Sequence, residues 1–235
     1  MQAVILAGGK GTRLHPFTIT IPKPLVPIDE LPILEIVLRQ LSYYGFSDII
    51  LAVNHLANLI MAFFGDGEKY GLNIRYSLEE KPLGTAGPLT LIDNLEDNFL
   101  VMNGDVLTTL DFRDLFDFHS ENRNDISIAV HRKQVKIDLG VLETDGDELI
   151  NYIEKPTYDY QVSMGIYMIN RRVIDLMVNG EKFDLPNLVL QAKNEGLKIK
   201  CYFQAMDKIW LDIGRPDDYS EAILTFKEHR TEFLP

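Results

Sequence analysis

A short apolar run, Val4-Ile5-Leu6-Ala7, breaks at once into Gly8, Gly9 and Gly11, with Thr12 and Arg13 at the exit. A strand with no polar position is buried on both faces, as in a parallel sheet. Glycines allow positive φ and let backbone N–H groups close on an anion with no Cβ in the way. Arg13 adds a forked donor suited to phosphate oxygens. The order strand, glycine loop, arginine therefore points to polyphosphate binding at the end of the first strand. Taken alone, the loop is also compatible with a plain structural turn. Two other phosphate loops are excluded. The Walker pattern is absent, and Leu14 stands where the dinucleotide fingerprint needs its third glycine.

The chain has 235 residues, enough for one domain with a sizeable core. We expect a single unit over 1–235, with a nucleotide half at 1–110 and a second half at 111–235. The formal net charge of -12 argues against nucleic acid or an anionic membrane as partner. It leaves room for a small anionic substrate, because a few placed cations govern a local site. Cys201 is the only cysteine, so no intrachain disulfide can form. Its alternating surroundings at 197–203 predict a packed or half-buried thiol. The first apolar run is too short and lacks the basic leader of a signal peptide. No apolar segment reaches membrane-spanning length, so the expected location is the cytoplasm.

Strand and helix patterns alternate through the first half. Strands are expected at 4–6, 49–53, 74–78 and 99–102. Helices are expected at 33–44, from a cap at Asn54 to 64, and at 84–95. This βαβ succession predicts an α/β fold, a Rossmann-like and mostly parallel sheet with helices on both faces. The second half predicts a helix at 111–122, a strand at 125–132, and a hairpin joining 140–143 to 149–154 around Asp145-Gly146-Asp147. A strand at 166–169, short helices at 172–178 and 184–194, and a last helix from Pro216 complete it.

Several carboxylates and cations are candidates for chemistry. Asn103-Gly104-Asp105 follows directly on an apolar strand, where open α/β sheets bind ligands. A carboxylate there could hold Mg²⁺ together with phosphate oxygens; Asn-Gly and Gly-Asp are also ordinary turn pairs. Asp212 sits in the apolar run Trp210-Leu211-Asp212-Ile213, where a carboxylate needs a metal or cation partner. Lys23 lies between Pro22 and Pro24, which stiffen the backbone around it into a placed point charge. Glu79 is a carboxylate, acceptor-only and able to take two parallel N–H donors. Glu154-Lys155-Pro156 is, by itself, only a polar strand end. The five histidines at 15, 55, 119, 131 and 229 have no metal-ligand spacing and read as surface or structural. Lys10, Lys81 and Arg215 lie near these motifs without an assigned role.

Gly8-Gly9-Lys10-Gly11-Thr12-Arg13-Leu14, Pro22-Lys23-Pro24-Leu25, the stretch 79–88, 103–106, 154–156 and 210–216 resemble, in order, the motifs of the sugar-1-phosphate nucleotidyltransferases, also called nucleotide-sugar pyrophosphorylases. The stretches 79–89 and 103–108 are similar to those of mannose- and heptose-1-phosphate guanylyltransferases; related segments also occur in uridylyl-transferring relatives. The resemblance implies an enzyme that joins a nucleoside triphosphate to a sugar 1-phosphate; it puts Glu79, five residues before Gly84, where the family reads the base, and a carboxylate there suits the paired N–H donors of guanine, so GTP is expected. It implies that Arg13, Lys23, Asp105 and Asp212 are catalytic, and that Asp105 and Asp212 hold Mg²⁺. It implies nucleotide contacts from Leu6, Ala7, Gly8, Gly9, Gly11, Thr12, Arg13, Glu79, Gly84, Thr85 and Gly104, and sugar-phosphate contacts from Gly140, Glu154, Lys155 and Ser163. Ser163-Met164-Gly165 stands where the family often has Asn-Ala-Gly, which leaves the sugar open. Some members carry a C-terminal β-helix domain, and none is expected within 1–235. A homodimer follows only by analogy. A uridylyl- or thymidylyltransferase, or a non-catalytic nucleotide-sugar-binding regulatory subunit, are the alternatives.

Overall fold

The computed structural model describes Met1–Pro235. Strands β1 (Gln2–Leu6), β2 (Asp48–Val53), β3 (Asn73–Leu78) and β4 (Asn98–Asn103) lie parallel in the order β3-β2-β1-β4. Leu6 sits opposite both Ala52 and Asn103, so the strands deliver their following loops to one edge of the sheet. Beyond a short strand β5 (Val106–Thr108), the same sheet is extended by β6 (Ile126–Lys136), β9 (Thr157–Asn170) and β10 (Ile199–Phe203). Its full order is β10-β6-β9-β4-β1-β2-β3, and every pairing is parallel except the two that β9 makes with β4 and β6. The hairpin β7 (Val141–Asp145) and β8 (Glu148–Ile153) forms a separate two-stranded ribbon. A last short strand, β11 (Trp210–Asp212), pairs antiparallel with β5, placing Asp212 opposite Val106.

Alternation along the buried strands feeds two cores. Ala3, Ile5, Leu100 and Met102 point to one face, where α1 (Ile33–Tyr43), α2 (Ala57–Phe64), α3 (Phe112–Glu121), α5 (Pro216–Glu228) and α6 (Arg230–Phe233) cover them. Val4, Phe99 and Val101 point to the other, packed by Leu185, Leu188 and Ala192 of α4 (Leu185–Asn194). Each fully buried side chain of this size contributes about 1.5–3 kcal/mol. Helix α3 begins where its cap dictates, with the Asp111 carboxylate accepting from Arg113 N at 2.8 Å and Asp114 N at 2.9 Å.

Three local expectations are corrected. Residues 84–95 form only a 3-10 turn at Gly87–Leu91. The N–H groups of Ala86 and Gly87 are instead donated across the fold to Phe183 O, at 2.9 and 3.0 Å. Asn54 does not cap α2 with its side chain, which donates to Glu79 O at 2.7 Å; Leu56, at φ 55°, occupies the cap position. Cys201 is exposed, because β10 is an edge strand whose outer face nothing covers at that residue. No helix is long and apolar enough to cross a membrane.

The end of the sheet opposite those loops is sealed by a polar cluster. His119 of α3 is fully buried, with Nδ1 2.9 Å from Ser127 Oγ and Nε2 3.1 Å from Asn98 Oδ1. Burial pushes its ring down to about 4, against a weaker upward pull from Asp125. The ring is therefore neutral in the fold but protonates near 6.5 when unfolded. Its contribution is complete above that value and fades as pH falls toward 4. Urea unfolding at pH 7.5 and pH 5 should show the native protein losing about 2 kcal/mol more than His119→Gln between the two. Equal losses in the two proteins would refute the assignment.

Candidate active site

The loops after β1, β3 and β4 meet around a cavity of about 390 Å³. Leu6, Ala7, Gly8, Gly9, Arg13, Lys23, Glu79, Gly84, Thr85, Gly104 and Asp105 all line it. Gly11 and Thr12 do not, and Gly11 has a different task. It sits at φ 61°, and an added Cβ would come 3.1 Å from Thr18 Cγ2 and 3.2 Å from Lys23 Cβ. Its carbonyl accepts from the buried Thr18 hydroxyl at 2.7 Å. Gly11 thus lets the loop fold down onto Lys23.

Lys23 is only 8% exposed and forms an ion pair with Asp105. The pair joins the loop after β1 to the loop after β4. Gly104 N donates to Leu6 O at 3.0 Å and fastens the same two loops. Asp105 O accepts from Ile213 N at 3.2 Å, which brings Asp212 alongside. The Asp212 carboxylate opens to solvent on one side. Crowding by protein on the other raises its pKa, and the Asp105 charge adds to this, while Lys23 and Arg13 pull it down. Two neighbouring carboxylates that repel each other, with cations at hand, have the donor chemistry of a Mg²⁺ site. No group of three or more acidic, histidine or cysteine side chains gathers anywhere, so such an ion would need phosphate oxygens to complete its shell.

Glu79 stands at the end of β3 with its carboxyl against Gly8. A Cβ on Gly8 would lie 2.7 Å from Glu79 Oε1. The other oxygen, Oε2, accepts from Leu83 N at 3.0 Å. Burial raises the pKa of this carboxyl, and the Leu83 N–H partly opposes it. Oε1 is the oxygen left for a ligand. The turn at Gly84 and Thr85 is held from a distance: Thr85 N donates to Asp184 Oδ1 at 3.0 Å, and Leu185 N donates to Thr85 Oγ1 at 2.8 Å. At φ 80°, with Phe183 O 2.5 Å from any added Cβ, Gly84 is confined to glycine.

Asp212 lines a second cavity of about 450 Å³, with His131, Lys133, Trp210 and Arg215. Arg13 lines both. Sequence reasoning missed His131 and Lys133, and no motif marks them; their strand alternation alone puts them on one face of β6. The residues expected at the sugar phosphate lie in neither cavity. Gly140, Glu154 and Lys155 are at the foot of the β7–β8 hairpin, with Glu154 and Lys155 exposed. A Cβ on Gly140 would strike the Tyr152 hydroxyl, and that hydroxyl donates to Glu154 Oε2 at 3.1 Å. Lys155 has φ 46°. Ser163 Oγ lies 2.9 Å from the Tyr167 hydroxyl on β9.

A UTP–glucose-1-phosphate uridylyltransferase of Synechocystis is 36% identical over 244 residues, covering 95% of this chain and 62% of its own. A mannose-1-phosphate guanylyltransferase of Mycobacterium tuberculosis is also 36% identical, over 225 residues, covering 93% and 62%. The chain therefore spans less than two thirds of the length of these relatives. Among solved structures, HddC from Yersinia pseudotuberculosis superposes with a TM-score of 0.73 at 26% identity, covering 96% of this chain and 99% of that one. HddC complexed with GMP-PN superposes at 0.70. The nucleotidyl transferase family model matches residues 2–229, nearly the whole chain, and the protein belongs to that family.

Proposed function

We propose that the protein joins a nucleoside triphosphate, GTP in the first instance, to a mannose- or heptose-like sugar 1-phosphate, releasing pyrophosphate. The observation that carries this reading is the meeting of Arg13, Lys23 and Asp105 in one cavity with Asp212 at its side. A sugar-phosphate oxygen attacks the α-phosphorus in line, the bond from phosphorus to the bridging oxygen breaks, and pyrophosphate leaves. The nucleophile is already an anion, so no general base is required. The protein's work is positioning and charge stabilisation. Arg13 faces the leaving pyrophosphate and Lys23 the triphosphate. A bound Mg²⁺ on Asp105 and Asp212 would supply charge neutralisation between the two reacting phosphates. Gly8 and Gly9 leave the backbone open to the nucleotide, and Glu79 Oε1 takes N–H donors from the base.

The choice of GTP is supported by the acceptor character of Glu79 and by the relative that was crystallised with GMP-PN. A uridylyl-transferring reading is supported by the Synechocystis relative, which is as similar as the mycobacterial guanylyltransferase. Pyrophosphate release across a grid of triphosphates and sugar 1-phosphates tests both. Silence across the whole grid would sink the transferase reading. Glu79→Gln should lower turnover with GTP by roughly 10-fold or more relative to UTP, the loss typical of a charged hydrogen bond. An unchanged preference would remove Glu79 from base selection.

The two carboxylates should part company in stability. Either Asp→Asn change should cut turnover by roughly 100-fold or more. Asp105→Asn should also lower the melting temperature, because it strips a buried lysine of its partner, a loss of about 3–5 kcal/mol in comparable pairs. Asp212→Asn should leave melting unchanged or raise it, since it relieves a desolvated carboxylate facing another. Thermal melts with kinetics on both variants check this. Wild-type turnover in either variant would strip that carboxylate of its catalytic role.

A further inference from the structure

The loop that follows β1 carries both Arg13 and Lys23, yet its outer turn is closed mainly on itself. The N–H groups of Leu14, His15, Phe17 and Ile19 donate to the carbonyls of Gly11, Thr12, Leu14 and Pro16, all inside the loop. Leu14 and Thr18 are buried beneath it, while Phe17 and Ile19 stand exposed at its crest. A turn of this kind opens locally at little cost. Lys23, on the far side of the turn, is fixed by Asp105. Arg13, on the near side, needs a different support if it is to stay where both cavities meet.

Helix α5 supplies one. The ring of Tyr219 lies 5.0 Å from that of Phe17, tilted by 52°. Its hydroxyl donates to Pro27 O at 2.7 Å. One side chain thus touches the loop before Lys23 and again after it. Asp29, which pairs with Lys227 at 3.5 Å and Arg230 at 2.8 Å, lies past Lys23 and fastens only the exit of the loop. The backbone that carries Tyr219 is itself tied to Asp212. Ile213 is fully buried, Gly214 N donates to Asp212 O at 2.9 Å, and Tyr219 N closes the first turn of α5 on Arg215 O at 2.9 Å. Arg13 rests against the same stretch, where a Cβ on Gly214 would lie 3.7 Å from its Nη1. Asp212, the resting place of Arg13 and the Tyr219 ring therefore share one short piece of chain. We propose that Tyr219 is a positioning residue, a bracket across the loop after β1 that sets Arg13 beside Asp212. It lines neither cavity, so it acts through Arg13 and not on a ligand. The consequence for turnover rests on the nucleotidyl-transfer reading; the bracket itself does not.

Two readouts test the bracket. Amide hydrogen exchange on the ligand-free protein, followed by mass spectrometry, reports the loop. Tyr219→Leu and Phe17→Ala should each speed exchange across residues 12–21 by roughly 10-fold or more, with β1 and β4 unchanged. Pyrophosphate release with the best substrate pair reports Arg13. Tyr219→Leu should lower kcat by roughly 10- to 100-fold, with the KM for the sugar 1-phosphate within about twofold of wild type. Tyr219→Phe, which keeps the ring, should recover most of that loss. In an Arg13→Ala background, Tyr219→Leu should cost no more than about twofold further, because the two residues act as one unit. Native exchange in the loop would overturn the proposal whatever the activity. So would a Tyr219→Leu loss that adds in full to that of Arg13→Ala, since Tyr219 would then act elsewhere. If Tyr219→Leu does not fold, Phe17→Ala carries both tests, because Phe17 is 43% exposed. If the wild type releases no pyrophosphate from any pair, the transferase reading falls and exchange in the loop alone decides the bracket.

Discussion

The Lys23–Asp105 ion pair is the constraint from which the rest of the site follows. A lysine with 8% of its surface exposed cannot stay charged there without a partner. The partner comes from the neighbouring strand, because Leu6 and Asn103 are opposite each other in the sheet. The loop after β1 must therefore close over the end of β4. Closing it requires Gly11 at positive φ, with Thr18 holding its carbonyl. The stability of the loop and the placing of a cation beside a carboxylate are one event. In the proposed reaction a polyphosphate would meet a lysine already oriented, and Asp105 would then be open to a different cation.

The same economy governs Gly8 and Glu79. Gly8 lacks a Cβ because the Glu79 carboxyl occupies that space. Asn54 at the end of β2 donates to the Glu79 backbone, and Leu83 N–H fixes one of its oxygens. The carboxylate keeps one oxygen free toward the cavity. Three parallel strands thus contribute to a single acceptor, and a change at Asn54 would be felt at the Glu79 carboxylate without touching the cavity directly.

Much of this is readable from sequence, for a physical reason. β1, β2 and β4 are nearly all apolar because both their faces are buried, and such runs admit few other readings. The glycine loop and Asp105 are legible because each lies within a few residues of its strand, where local order fixes the geometry; Lys23 lies far beyond β1 and stands out only by the prolines on either side of it. The segment 84–95 is not. Its periodicity favours a helix, but Ala86, Gly87 and Thr85 are tied to Phe183 and Asp184, about a hundred residues away. The second cavity is hidden for the same reason. His131 and Lys133 meet Trp210 and Arg215 only through the pairing of β11 with β5, a contact no local pattern announces. Cys201 departs from expectation because alternation locates a face but cannot say whether anything covers it.

A chain with a formal net charge of -12 is an unexpected host for the two anionic substrates of the proposed reaction. Its overall field opposes their approach, yet screening in physiological salt limits such fields to about 8 Å. Inside that distance the count is local. Arg13 and Lys23 line the first cavity, and Arg13 borders the second as well. Asp105 and Asp212, two carboxylates side by side, are tolerable because Lys23 and Arg13 stand with them. The acidic balance of the chain as a whole therefore says little about what it binds. What decides is that folding brings Arg13 and Lys23 of the loop after β1 up against a pair of carboxylates drawn from the middle and the end of the sequence.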